Sequence, residues 1–245
     1  MAQWWSYRPA DLLLFSPRVY WRMFELQNAQ MWPLALLTLS AGFAMVLLVI
    51  WRPKDHGRWI AIILALLWAI VGYSFVWNRY ATINWAMAYV APMFALQSIL
   101  LLIVGIASNG LVFTQRGFAS WTGLVLIASA LLLYPVLPFF SGTPWRQMQL
   151  FGMAPDPTVI GTLGLLVLAR GRYLALLFPI PVLWCFITAL TLSAMGSAQA
   201  WLALAAVAVV LTTGVGLALS RRQSTTQCRM TARRLHGMSA PSGSR

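Results

Sequence analysis

The sequence predicts an all-α integral membrane protein, built as a bundle of seven transmembrane helices. Hydrophobic residues make up 60% of the chain and charged residues only 9%, whereas a soluble domain carries about 25% charged residues. The apolar residues fall in runs of about twenty, the length that an α-helix needs to cross the hydrocarbon core. Tryptophans bracket the first two runs, as indole rings favour the two membrane interfaces.

The first 31 residues predict a leader that lies at the membrane surface. Its longest apolar stretch is too short for a signal-peptide core. Ser16 and Pro17 are typical of a helix start, with serine as the N-cap and proline at the first helical position. The residues that follow mix aromatic and charged side chains, which is typical of an amphipathic interfacial helix. A loose polar leader is the alternative.

The helix bundle is expected over residues 32–219, and one of its segments has two interpretations. The predicted spans are 32–51, 59–77, 85–107, 118–139, 150–169, 173–195 and 201–219. In the fifth, the uncharged stretch between Asp156 and Arg170 is too short for an upright crossing. A full span would have to bury Asp156 between Pro155 and Pro157. The alternative is six transmembrane helices plus a re-entrant segment.

The distribution of basic residues predicts the orientation in the inner membrane. Seven spans put most Lys and Arg on the side of the loops 52–58, 108–117 and 170–172 and of the tail. The positive-inside rule then makes the C-terminus cytoplasmic and the N-terminus periplasmic. With six spans, both ends are cytoplasmic. The tail is cytoplasmic in both arrangements.

The tail, residues 220–245, is basic and polar, and its composition predicts disorder. We expect its arginines to rest on anionic lipid head groups, at about 1 kcal/mol per basic residue near the surface. The alternative is that they act only as the positive-inside signal. They are Arg221, Arg222, Arg229, Arg233 and Arg234.

The composition argues against several kinds of chemistry. Cys185 and Cys228 lie far apart and form no thiol-pair motif. His56 and His236 fall in polar stretches, so we expect no intramembrane metal site and no cofactor. No catalytic constellation can be assembled, so we expect a protein that is not an enzyme. The basic excess comes without a nucleic-acid-binding motif, so we expect no nucleic acid partner.

Polar side chains within apolar spans are the candidates for function, because they are costly in hydrocarbon. Gln97 lies near the middle of the third span, and Pro92 before it is expected to bend the helix. Its amide predicts either an interhelical hydrogen bond or a contact with a ligand. Trp184 follows Pro179 and Pro181, which interrupt the sixth span in the same way.

Four further residues complete the candidate set. Trp68 lies mid-span, where its indole N–H needs an acceptor, and packing or an aromatic pocket would both supply one. Tyr73 lies in the same span. Asn84 is expected either to cap the third span or to line a site. Asp156 is expected either to begin a helix or to exchange a proton from a partly buried position.

Two segments are similar enough to raise the question of an internal repeat. Residues 57–64, GRWIAIIL, and 171–178, GRYLALLF, open the second and sixth spans. Parallel repeats occur in transporters. The alternative is that both are ordinary cytoplasmic helix ends.

Short motifs along the chain resemble a known family. They are Gln27-Asn28, Trp32-Pro33, Trp68, Gly72-Tyr73, Ile83-Asn84, Gln97, the segment 151–169 and the segment 180–184. This pattern is similar to the uncharacterised bacterial multi-pass membrane protein family known as domain of unknown function 6064. The resemblance covers roughly residues 12–219 and supports the fold. The family has no established activity.

The chain departs from that family pattern at two positions. Ser74 stands where the pattern has histidine, and Asp156 stands where it has cysteine. If that histidine and cysteine formed a metal or redox site in relatives, this chain would lack it.

The sequence therefore predicts a permease-like protein that binds or transports a small solute within its bundle. The alternative is a non-transporting structural or accessory subunit of a membrane complex. Expected partners are the lipid bilayer and either another membrane protein or further copies of this chain.

Overall fold

The computed structural model describes residues 14–107, 111–113 and 117–214, and over these residues the protein is an all-α helix bundle. Five of the described helices are long and apolar enough to cross a membrane, and two apolar helices are shorter. We name the helices in chain order: α1 (Pro17–Gln30), α2 (Trp32–Trp51), α3 (His56–Ile83), α4 (Met87–Ile106), α5 (Ala119–Phe140), α6 (Pro155–Leu168), α7 (Leu174–Ala194) and α8 (Ala200–Gly214). The basic tail lies outside the described residues.

Helix α1 begins as the leader sequence predicts. The Ser16 side chain accepts a hydrogen bond from the Val19 N–H, and Pro17 occupies the first helical position. Its buried face packs on the bundle, where the Phe24 ring lies 4.7 Å from the Phe75 ring of α3. One face of α1 is therefore covered by protein.

Helix α3 is longer than the predicted second span. The stretch 78–84 was expected to be a turn, but the helix continues to Ile83 and widens to a π-helix at Gly72–Tyr80. Arg79 donates hydrogen bonds to the side chains of Gln27 and Gln30 in α1. Because these glutamines of α1 accept hydrogen bonds from the Arg79 guanidinium, α3 can continue past this charged residue.

The fifth segment forms α6, the most enclosed helix of the described bundle. All of its residues are buried. At 1.5 Å per residue its 14 residues span about 21 Å, less than the roughly 30 Å of a hydrocarbon core. Residues 150–154 run into the bundle before it, buried and without helical structure. The segment is therefore a broken helix surrounded by protein.

The loops collect at two ends of the bundle. At one, which we call the leader end, the Asn28 side chain donates to the carbonyls of Arg146 and Met148. At the other, the hairpin end, strand β1 (Val112–Phe113) pairs antiparallel with strand β2 (Ala169–Arg170). The His56 ring lies 5.8 Å from the Phe113 ring at this second end.

Candidate functional site

The entrance to α6 is held by a threonine and a glycine. Gly152 has a φ of 76°, which favours glycine. A Cβ there would lie 2.7 Å from Thr38 Cβ, so the close packing also requires glycine. The Gly152 N–H donates to Thr158 Oγ1 (2.8 Å), and that hydroxyl donates to the Ala154 carbonyl (2.7 Å). These bonds satisfy backbone groups that a break in a buried helix exposes.

Asp156 lies in the first turn of α6 and is only 3% exposed. Its Oδ1 accepts hydrogen bonds from Trp184 Nε1 and Thr188 Oγ1, both at 2.8 Å. Its Oδ2 is buried and has no hydrogen-bond partner among the described residues. Within the same residues the carboxyl has no basic partner, since the ion pairs there are Arg22–Glu25 and Arg58–Asp55. One carboxyl oxygen is thus fixed by two hydrogen bonds, and the other is buried without a described partner.

Side chains from four helices surround this carboxyl. Tyr20 of α1, Tyr80 of α3, Tyr134 of α5 and Cys185 of α7 are close enough to interact with it electrostatically. Burial raises the pKa of the Tyr20 phenol well above its usual range, and the nearby Asp156 carboxyl adds to the shift. The Tyr20 hydroxyl is therefore neutral. We call Asp156 and these neighbours, with Trp184 and Thr188, the Asp156 cluster.

The indole N–H of Trp68 in α3 finds its acceptor on α6, the helix that carries Asp156. Its Nε1 donates to Thr162 Oγ1 (2.9 Å), one turn and a half beyond Asp156. The Phe94 ring bridges the two tryptophans, 4.8 Å from the Trp68 ring and 5.0 Å from the Trp184 ring. The indole of Trp68 therefore has the acceptor that it needs. Trp68 attaches α6 to α3, and Trp184 attaches it to α7.

Gln97 forms the interhelical hydrogen bond that its position predicts. Its Nε2 donates to the Leu177 carbonyl of α7 (3.1 Å). The side chain is fully buried, and its Oε1 has no partner within the part of the chain that the structure describes. No hydrogen bond to a described residue links Gln97 to the Asp156 cluster. Gln97 therefore remains a separate candidate contact.

The other predicted site residues lie elsewhere. Tyr73 is 69% exposed on the outer surface of the bundle. Asn84 Oδ1 accepts from the Ala86 N–H (3.1 Å) in the turn before α4, and the N-cap position of that helix is Ala86, without a side-chain cap. The five tail arginines lie outside the described residues. The structure therefore joins Asp156 with Trp184 directly and with Trp68 through α6.

Sequence reasoning missed five members of the cluster: Tyr20, Tyr80, Tyr134, Cys185 and Thr188. Thr188 had a readable signal, because it stands four residues after Trp184 and so lies on the same helix face. The three tyrosines come from separate helices, and only the packing of the bundle brings them together.

At one of the departures from the family pattern, Ser74 takes part in a polar contact with the leader. Its Oγ accepts from Gln27 Nε2 at 2.9 Å, and Gln27 also accepts from Arg79. In the described residues, no group of three or more His, Cys, Asp or Glu side chains could hold a metal ion. Ser74 therefore serves here to attach α1 to α3.

A tight crevice at the leader end reaches one residue of the cluster, and it is too narrow to hold a water molecule. Tyr134 both lines this crevice and lies near Asp156. Gln149 and Gln199 also line it, and their Oε1 atoms are buried without partners in the described chain. The crevice thus brings two buried amide oxygens without described partners beside Tyr134, a member of the Asp156 cluster.

An all-helical bundle with five helices long and apolar enough to cross a membrane is typical of the polytopic membrane proteins. The model of the family of unknown function DUF6064 matches residues 17–228. The chain belongs to this family, as the resemblance predicted. No curated protein and no solved structure gives a significant match.

Proposed function

We propose that the protein is a permease-like inner-membrane protein that binds a small solute at the Asp156 cluster and exchanges a proton there. The observation that carries this proposal is the buried Oδ2 of Asp156, which has no described partner although Oδ1 of the same carboxyl is held by α7. Broken helices are where many transporters bind their substrates. Buried ionisable groups in membrane proteins commonly belong to proton or substrate pathways.

The site has opposing influences on the charge of Asp156. An ionised carboxylate without a cationic partner is costly in an apolar interior. The N-terminus of α6 and the donors Trp184 and Thr188 favour the ionised form. A group balanced in this way can take up and release a proton when a solute or a conformational change alters its surroundings.

The pairing of β1 with β2 supports seven crossings. Six crossings would require Phe113 and Ala169 to lie on opposite sides of the membrane, yet these residues are paired. The crevice also brings Gln147 together with Gln199, which six crossings would separate. With seven crossings, the positive-inside rule leaves the leader end periplasmic and the C-terminus cytoplasmic.

A non-transporting accessory subunit is the second candidate function. The bonds of Trp68 and Asp156 join α6 to α3 and to α7. Interhelical bonds of this kind serve packing alone in many membrane proteins, at about 0.6 kcal/mol each. In either role we propose that the protein is not an enzyme.

The experiment that separates the two uses purified protein in liposomes that contain a pH-sensitive dye. A panel of small neutral, cationic and anionic solutes is added outside, and the internal pH is followed. We expect a solute-dependent pH change with wild type, its loss in Asp156→Asn, and its retention in Asp55→Asn, which changes an exposed carboxylate. If no solute changes the internal pH with wild type, or if the change is equal with Asp156→Asn, proton-coupled transport is contradicted.

A further inference from the structure

We propose that the cavity between α1 and the loop 145–148 is a binding site for the headgroup of a zwitterionic phospholipid. This site is separate from the Asp156 cluster, and it does not depend on transport. Its volume is about 430 Å³, within the range of small-molecule sites. It is lined by Glu25, Asn28, Ala29, Trp32, Trp145, Arg146 and Met148.

Hydrogen bonds from α1 fix the wall of this cavity. Asn28 Nδ2 donates to the Arg146 carbonyl (2.9 Å) and to the Met148 carbonyl (2.8 Å). The loop is thereby attached to α1 through its backbone, which leaves the Arg146 side chain available. The backbone of the loop is therefore already ordered before a ligand binds.

The lining carries the two charges that a zwitterionic headgroup needs. Arg146 pairs with no carboxylate among the described residues, and its guanidinium lies 5.9 Å from the centre of the Trp145 ring. A guanidinium is well suited to bind a phosphate through two parallel hydrogen bonds. Glu25 forms an ion pair with Arg22 through Oε2 (3.5 Å), and its second oxygen, Oε1, can accept a bond from an ammonium group. The indole rings of Trp32 and Trp145 also attract an ammonium group.

The surface beside the cavity fits the acyl chains of the same molecule. Trp32 opens α2, and Leu36, Phe43 and Leu47 follow it at helical spacing with 44–57% of their surface exposed. This apolar strip leads from the cavity toward the hydrocarbon core. A free phosphate or a soluble zwitterion would use the charges but not the strip, so the arrangement favours a lipid.

Native mass spectrometry of the full chain, purified in detergent with equal amounts of phosphatidylethanolamine and phosphatidylglycerol, tests the proposal. We expect wild type to retain phosphatidylethanolamine preferentially. Arg146→Ala should reduce that retention by about tenfold, the ratio for losing one charge-assisted hydrogen-bonding partner. Glu25→Gln should shift the preference toward phosphatidylglycerol, because it removes the ammonium acceptor and the repulsion of an anionic headgroup.

Arg172→Ala is the matched control, since that guanidinium also lies over a neighbouring ring, Tyr173, but outside the cavity. It should leave both lipids bound as in wild type. Equal retention of the two lipids by wild type would overturn the proposal. So would equal losses in Arg146→Ala and Arg172→Ala.

Discussion

Asp156 occupies its place because the residues around it start a helix inside the protein. Pro155 fixes the first turn of α6, and Thr158 ties that turn to the preceding loop. The carboxyl then meets Trp184 and Thr188, which lie on one face of α7. The buried Oδ2 without a described partner distinguishes Asp156 from a simple helix-start residue, because packing alone gives no reason to leave it so.

At the residue scale, Trp68→Phe tests the attachment of α6 to α3. The change removes the bond to Thr162 and leaves a small void at a fully buried position. We expect the free energy of unfolding to fall by about 1–3 kcal/mol. The measurement is thermal unfolding in detergent followed by circular dichroism. Trp59→Phe, at a position 55% exposed, should change little. Equal effects of the two substitutions would contradict a specific role for Trp68.

The sequence identifies Asp156, Trp68, Trp184 and Gln97 as polar or aromatic groups in unusual places. It does not indicate that Asp156 pairs with Trp184, because their contact joins separate helices. Tyr73 is a candidate in the same span as Trp68, and helix geometry explains why the two do not share a site. It stands five residues after Trp68, which places the two side chains about 140° apart around an α-helix. Trp68 faces the core, and Tyr73 therefore faces outward.

At the element scale, α6 is defined by its close contact with α5. A Cβ on Gly164 would lie 2.7 Å from the Gly123 carbonyl oxygen, and a Cβ on Gly123 would lie 2.7 Å from the Gly164 carbonyl oxygen. The two backbones touch at this crossing. Small residues permit such an approach in membrane helices.

The substitution Gly164→Ala should therefore force α5 and α6 apart. We expect it to lower the free energy of unfolding by about 1–3 kcal/mol, because a rigid backbone group cannot move aside as a flexible side chain does. Thermal unfolding in detergent measures the effect. Gly214→Ala is the control, since no atom of the described residues lies within 4 Å of a Cβ at that position. A Gly164→Ala protein as stable as wild type would show that the crossing is looser than described.

Contacts between helices also explain why some helix boundaries could not be predicted from the sequence. The polar residues of 78–84 predict a turn. In the structure, Gln27 and Gln30 of α1 accept hydrogen bonds from Arg79, and α3 continues through this stretch. The resemblance between residues 57–64 and 171–178 stays a prediction. The first segment is α-helical from His56 onward, whereas the second contains a 3₁₀ turn at Leu174–Leu177.

At the scale of the whole molecule, composition and apolar runs predict the fold class, and the helix count follows less directly. A span of membrane length can be counted from the sequence because its length is set by the bilayer. A short buried helix such as α6 cannot, because its polar entrance is satisfied by other helices. The pairing of β1 with β2, which bears most directly on the topology, rests on strands of two residues each that carry little sequence signal.

Cysteine labelling from one side of the membrane tests the topology. Single cysteines are placed at Gly142, Ser197, Lys54 and Arg172 in a background that lacks both Cys185 and Cys228. With seven crossings, we expect the first two to react with an impermeant reagent in intact spheroplasts, and the last two only after permeabilisation. The opposite result at all four positions would invert the orientation. Labelling of positions 142 and 172 from the same side would show a re-entrant α6.

Infrared difference spectroscopy of the lipid-reconstituted protein during a pH change tests most directly whether Asp156 exchanges a proton. A protonated carboxyl in apolar surroundings gives a carbonyl band that separates it from exposed carboxylates. We predict such a band in wild type and in Asp55→Asn, its shift in heavy water, and its absence in Asp156→Asn. Identical spectra for wild type and Asp156→Asn across the pH range would contradict proton exchange at this carboxyl.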